Sequence, residues 1–439
     1  MHTKLHAITL TLLLAATSAH AALCGDSSGD GFFNATDALA TLRLAVGGSY
    51  DRRGDVAPAG GNDVLSASDA LESLRAAVQS RIPRCKGNHP TRAAVTTASY
   101  DFFSSGGFAT VDIATRAFVY RAGAVRADAV VRTLDGTPIV VNRKNFNSLQ
   151  KLNTQLPGLP TIKECSVADG IDSNPQDAVF ATPTKGYVSL YASASLLRIA
   201  PAVLDNSAVD PACATLITGR ISLAEFDGDG VPEMDQMALM DGKLFVAMQL
   251  LDKALQPKGN GALAVVDTAT DTVTGSIPLS FANPFAATKG IVFDEFQQLL
   301  FLGGPGKTGD KLDDGGLEAI DPQTMQSAGV LLTGADLQAN LYDFVIVGTR
   351  KAYAIIADQS ANSVVEIDLK TRTVKKTLLS STALITDIEM TELGELWVAY
   401  RGETKNDPPG LRIFRVADNI EMTPMPISLG QAPFEISFF

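Results

Sequence analysis

The stretch Asp26-Ser-Ser28-Gly-Asp30-Gly31-Phe32-Phe33-Asn34-Ala-Thr-Asp37 sets oxygen-bearing side chains at positions 1, 3, 5, 9 and 12 of a loop, with glycine at position 6. That spacing wraps a hard cation such as Ca2+ in oxygen ligands, the sixth residue making the sharp turn. A looser copy follows, with Asp55, Asn62 and Asp69 as its candidate ligands. A third acidic loop lies far downstream. There Glu225, Asp227, Asp229 and Glu233 occupy positions 1, 3, 5 and 9 around Gly230, but Gln236 stands where a bidentate acid closes a calcium loop. A calcium site and a merely polar Asp/Gly turn are both open readings of that loop.

Single acids also recur ahead of apolar strands, at Asp128, Asp177, Asp235, Asp343 and Asp387, with Glu435 in the tail. Gly290 interrupts the series once. Gathered around one axis, these carboxylates would hold a cation or bind a basic or hydroxylated ligand. The alternative is that each accepts backbone N–H groups and ties one repeat to the next. Two of Asp177, Glu233 and Asp235 are candidates for the acid and base of a glycoside hydrolase. Arg143 and Arg401 each follow a second strand, where they would clamp an anionic group or serve as paired surface arginines. A run at Gly303–Lys307 lacks the first glycine of a phosphate loop, and a strand follows where that motif needs a helix.

These residues need elements to hold them. Leu39, Leu42 and Val46 share one face of a helix after the first loop, and Ala70–Val78 repeats that helix. From residue 93 onward, short strands recur with markers at 128, 177, 235, 290, 343, 387 and 435. Third strands end in Asp, and Asp-x-x-Thr turns such as Asp267-Thr-Ala-Thr270 lead into the fourth. Four short strands per repeat and almost no helix argue for an all-β propeller of seven blades. The tail Phe434–Phe438 is expected to supply the inner strand of the blade begun near Ala94, closing the ring.

Two loop-helix copies ending in Asp resemble type I dockerin domains, over roughly residues 24 to 85. The resemblance implies that Asp26, Ser28, Asp30 and Asp37, with the carbonyl of Phe32, ligate calcium. It also implies docking onto a cohesin-like partner. The second loop departs from that family, being longer and carrying Asn62-Asp63 in place of Asp-Gly. The propeller segment, including Ala264-Val-Val-Asp-Thr-Ala-Thr-Asp-Thr-Val273 and the tail, is similar to the YVTN/NHL-type propellers of exported bacterial proteins.

The chain has 439 residues and a formal net charge of −12. Such an acidic surface repels nucleic acid and anionic membrane. Lys4, the apolar run Leu5–Ala16 and Ala19-His20-Ala21 read as a signal peptide over 1–21, so a secreted or periplasmic protein is expected. No stretch is long enough to span a bilayer. The domains expected after cleavage are a calcium module at 22–86, a linker at 87–92 and the propeller at 93–439. Four cysteines in an exported chain suggest two disulfides, with three pairings open. Cys24–Cys85 and Cys165–Cys213 are expected because each would close a single unit. With three of four histidines in the leader, only His89 remains, which disfavours a Ser-His-Asp triad or a multi-histidine metal site. The functional expectation is a monomeric, non-catalytic binding propeller for a protein or glycan, tethered by its calcium module. A secreted polysaccharide hydrolase is the alternative.

Overall fold

The computed structural model describes residues 23–439 except 58–59, 80–81, 86–88, 171, 206–211, 295–296, 308–313, 403 and 405. The signal-peptide reading of 1–21 and part of the linker reading lie outside the described residues.

Seven four-stranded antiparallel sheets form seven blades. Their inner strands are Ala432–Phe438, Ala129–Leu134, Pro175–Thr182, Met234–Met240, Ile291–Asp294, Asn340–Ile346 and Ile385–Met390, for blades 1 to 7 in turn. The tail closes the ring as expected: in blade 1 it pairs with Arg92–Ala98, with Ile436 opposite Val95 and Glu435 opposite Thr96. Because two strands from opposite ends of the chain share one sheet, the ring has no open seam. Apolar side chains fill the spaces between blades. Trp397, fully buried, meets the ring of Phe438 edge-on at 5.4 Å across the blade 7–blade 1 boundary.

The turns follow from local chemistry. Asp267 accepts N–H bonds from Ala269 and Thr270. Asp112, Asp321 and Asp368 act alike at the matching turns. These turns are completed by a residue in the left-handed region: Arg116, Asp271, Met325 and Arg372. Inner and second strands join through tight hairpins, Asp135-Gly136 and Asp241-Gly242 among them, both residues having positive φ. All such hairpins lie on one face of the ring. The loops that lead into the inner strands form the opposite, mouth face.

The small module sits on the hairpin face. Its helices, α1 (Ala35–Gly47) and α2 (Ala67–Val78), carry capping boxes built from Asn34 with Asp37 and Ser66 with Asp69. Both expected disulfides are present, Cys24–Cys85 and Cys165–Cys213. The first loop rests on the blade 6 hairpin, where Thr349 N–H donates to Gly29 O at 2.9 Å and Arg350 N–H to Asp30 O at 3.3 Å. Glu392, in the blade 7 hairpin, collects Arg52 at 2.9 Å and His89 Nδ1 at 2.6 Å, while its carbonyl accepts Cys24 N–H. His89, read from sequence as part of a polar linker, is therefore clamped between module and propeller. No helix among the described residues is long and apolar enough to cross a membrane.

Candidate functional site

The blade register decides what each recurrent acid does. Asp177 Oδ2 accepts the N–H of Met237, Asp343 Oδ2 that of Ile388, and Asp387 Oδ2 that of Ile436, each at 2.7–2.8 Å. Glu435 accepts from Val131 in the same way. Each acid thus reaches one blade forward and takes the N–H of the next inner strand. Asp177, Asp343 and Asp387 are 3 % exposed or less, so they line the channel wall and do not gather at its mouth.

Two acids of the series fall outside this register. Val130 and Gln236 precede the bonded residues Val131 and Met237, so they hold the equivalent places in blades 2 and 4. Asp128 lies one turn earlier, beside Arg143. Asp235 is fully buried and accepts the N–H of Ala286 and Nε2 of Gln249, both at 3.1 Å. Burial pushes Asp235 and Asp387 up to about 7, and Asp343 well above its ordinary value.

Sequence reasoning missed the channel's cations. Arg132, 7 % exposed, crosses the axis from blade 2. It donates to Asp177 at 2.5 Å, to Gln236 and Thr288 O at 2.9 Å each, and to Glu435, joining blades 1, 2, 3 and 4 to the segment leading into blade 5. Lys289 pairs with Glu389, and burial pulls its amine down. A basic residue inside the apolar run Ala129-Val-Val-Arg132 was the available signal. Below these charges lies a cavity of about 60 Å³, lined in part by Arg132, Asp177, Lys289, Phe180 and Phe293.

The mouth face carries the remaining candidates. Glu233 lines an open pocket of about 380 Å³ together with Tyr191, Asp229, Asp252 and Lys253. Burial raises its carboxyl to about 7. Asp177 and Asp235 do not line that pocket, so the three candidate catalytic acids do not face one open surface. In the 225–236 loop, the Lys258 ammonium pairs with Asp227 and stands 3.4 Å from Asp229. The Lys258 ammonium thus stands beside two of the carboxylates that the calcium reading of that loop assigns to a metal. Glu225 makes none of these contacts.

Arg143 and Arg401 hold matching positions in blades 2 and 7, on either side of blade 1. Each follows its second strand and donates its backbone N–H to the residue opposite: Arg143 to Asp128 O at 3.3 Å, Arg401 to Leu384 O at 3.0 Å. The blade 1 rings Phe434 and Phe102 meet edge-on at 6.0 Å. Arg143 lies over Phe434 at 5.5 Å and Arg401 over Phe102 at 3.9 Å. A ladder of arginine, two phenylalanines and arginine therefore spans this side of the mouth.

In the module, Asp26 is buried and accepts N–H bonds from Gly29, Asp30 and Gly31. Burial lifts its carboxyl to about 7, with Asp37 and Asp30 adding repulsion. In the second loop, Asp55 takes Asn62 N–H, Asp63 N–H and the Tyr50 hydroxyl. Asp69 takes the N–H of Val56 and Ala57.

No family model matches the chain, and no curated protein matches it. Solved structures do. A Bacteroides fragilis protein named as a candidate 6-phosphogluconolactonase aligns at 11 % identity and a TM-score of 0.51, over 80 % of this chain and 98 % of that one. A functionally unknown protein from Desulfotomaculum acetoxidans aligns at 11 % identity and a TM-score of 0.50, over 79 % of this chain and 98 % of that one. At such identity the likeness speaks to fold alone: a seven-bladed propeller resembling the YVTN/lactonase type.

Proposed function

We propose that the chain is an exported, non-catalytic binding propeller held to a protein partner by its calcium-stabilised, dockerin-like module. The observation that carries this reading is the outward face of the two helices. Leu39, Leu42 and Val46 are 48, 39 and 82 % exposed, and their repeats Leu71, Leu74 and Val78 are 48, 41 and 78 % exposed. The sequence pattern placed these residues on one face of each helix. The module's core uses the small residues Ala38, Thr41, Ala70, Ser73 and Ala76 instead, with the Cys24–Cys85 bridge. A duplicated apolar ridge facing water is the mark of an interaction surface. Its partner is a cohesin-like or other cell-surface protein. Two disulfides suit an oxidising, extracytoplasmic compartment.

Calcium fits the first loop. Asp26, Ser28, Asp30 and Asp37 with the Phe32 carbonyl would hold it, and a divalent cation would relieve the repulsion among the three carboxylates. In both loops the candidate ligands also accept hydrogen bonds of their own loop: Asp26, Asp30 and Asp37 in the first, Asp55, Asn62 and Asp69 in the second. Calorimetric titration tests the metal: Asp30→Ala removes one calcium site, whereas Asp229→Ala changes nothing. Surface plasmon resonance against a panel of cohesin domains tests the docking. Binding is expected only with calcium and only without the paired change Leu42→Asp with Leu74→Asp; binding indifferent to both, or none at all, removes the tether.

One observation keeps the hydrolase alternative in view. Burial raises the Glu233 carboxyl to about 7 in a pocket it shares with Asp229, the direction a general acid needs. Polysaccharide hydrolysis abolished by Glu233→Gln would favour it over the non-catalytic reading.

A further inference from the structure

We infer that Arg401 is an oxyanion-binding subsite on the mouth face, between blades 7 and 1, that takes a carboxylate or phosphate group of the propeller's ligand. It deepens the reading of the propeller as a binding unit and is independent of the tether.

Arg401 is 2 % exposed, yet only its Nη2 has an acceptor among the described residues, the carbonyl of Ser99 at 2.7 Å. Its Nη1 is buried with no partner. Among the described residues no carboxylate pairs with its guanidinium. The described acids on the same loops are spent elsewhere: Asp101 caps its own turn through Ser99, Phe103 and Ser104, and Asp407 takes the Tyr400 hydroxyl. Burial pulls the guanidinium down only to about 10, so it stays charged at neutral pH. An uncompensated buried charge is expensive, and a bound counter-ion would relieve that cost.

The matching corner of blade 2 shows what is missing. There Arg143 pairs with the side chain of Asp128, the residue whose carbonyl accepts its backbone N–H. In blade 7 that residue is Leu384, 45 % exposed and without a charge. With no described acid in that place, a counter-ion from solvent would reach Arg401 along the side of Leu384. Phe102, its ring centre 3.9 Å from the guanidinium carbon, backs the fork, and Tyr100 anchors the neighbouring backbone by donating its hydroxyl to Gly402 O, with Arg401 O at 3.0 Å. A fixed planar fork with unused donors matches the geometry of carboxylate and phosphate oxygens.

The experiment titrates calcium-loaded full-length protein with acetate and, in parallel, with inorganic phosphate, at constant ionic strength set by chloride. The melting temperature and calorimetric heat are both read. The wild type is expected to show a saturable response to at least one anion. Arg401→Met should weaken it at least tenfold, while Arg143→Met keeps it. Whichever anion binds more tightly identifies the group. No response to either anion, or an unchanged response in Arg401→Met, overturns the subsite. The helix-face variants leave this titration untouched, so failure here and failure of the tether are separable.

Discussion

Blade 1 is flanked by two arginines that the chain places alike and partners differently. Arg143 has Asp128, Gln176 and the carbonyl of Ala287 around its guanidinium. Among the described residues Arg401 has one carbonyl acceptor, the Phe102 ring and, at 5.6 Å, the Tyr100 ring. Backbone position, a neighbouring aromatic ring and depth are shared, and the difference in charge matching reduces to one side chain, Asp128 against Leu384, with Gln176 and the Ala287 carbonyl adding neutral acceptors on the Arg143 side. A buried charge that is matched holds blades together. One that is unmatched costs stability and waits for something to match it.

The severest way to test the first half of that statement is at the axis, where matching is most complete. Arg132→Met strands Asp177 and Glu435 in the channel and removes the bonds to Gln236 and Thr288. A loss of about 3–5 kcal/mol is expected, as for any buried pair broken on one side. Chemical denaturation measures it. A loss below about 1 kcal/mol would mean that the channel charges are solvated after all.

A milder test sets the two corners against each other. Arg143→Met leaves Asp128 and Gln176 short of a donor and should cost about 2–3 kcal/mol, Asp128 being partly exposed and able to rehydrate. Arg401→Met removes an uncompensated charge and should be neutral, or stabilising by up to about 2 kcal/mol, in buffer without a binding anion. Leu384→Asp gives Arg401 the partner that Arg143 already has. It should stabilise by about 1 kcal/mol and abolish the anion response. Equal losses in both methionine variants would erase the distinction between the corners.

That distinction was half visible in the amino-acid order. The ring was legible because Glu435 ends the acidic series and an orphan strand has to pair somewhere. Arg143 and Arg401 were legible as mouth residues because each follows a second strand. Their partners were not, since naming the residue opposite requires the register of an inner strand, and bulges shift it. Register breaks occur between Pro175 and Asp177, Met234 and Met237, Leu341 and Asp343, and Ile385 and Asp387. Asp128 and Asp235 stand two residues and one residue ahead of the equivalent places, Val130 and Gln236, and in blade 2 no register break accompanies that offset. In the module, the stripe of Leu39, Leu42 and Val46 was seen, but its direction was not. Close packing of Ala and Ser between the helices turns the larger side chains outward, and periodicity alone cannot tell an inner face from an outer one.

A third buried charge is matched only over part of the pH scale, and it gives the smallest effect. His89 and Glu392 pair at 2.6 Å across the module–propeller contact. The hydrogen bond that the imidazole donates to the Glu392 carboxylate raises it above its ordinary 6.5. Burial works against Glu392, but His89 and Arg52 outweigh it and lower its carboxyl below the ordinary 4.5. A raised histidine stabilises fully below 6.5 and loses that contribution as pH climbs through its folded value. A lowered glutamate stabilises above 4.5 and loses that contribution as pH falls through its folded value. The pair should therefore add about 1 kcal/mol between those limits and fade on the alkaline side, where the histidine becomes neutral like a corner without its partner. Thermal melts of wild type and His89→Gln from pH 5 to pH 9 separate this from other titrations. The two curves should stand apart at the acidic end and converge at the alkaline end. A gap that persists at pH 9 would show that His89 acts through its hydrogen bond to Cys85 O, a contact that needs no charge.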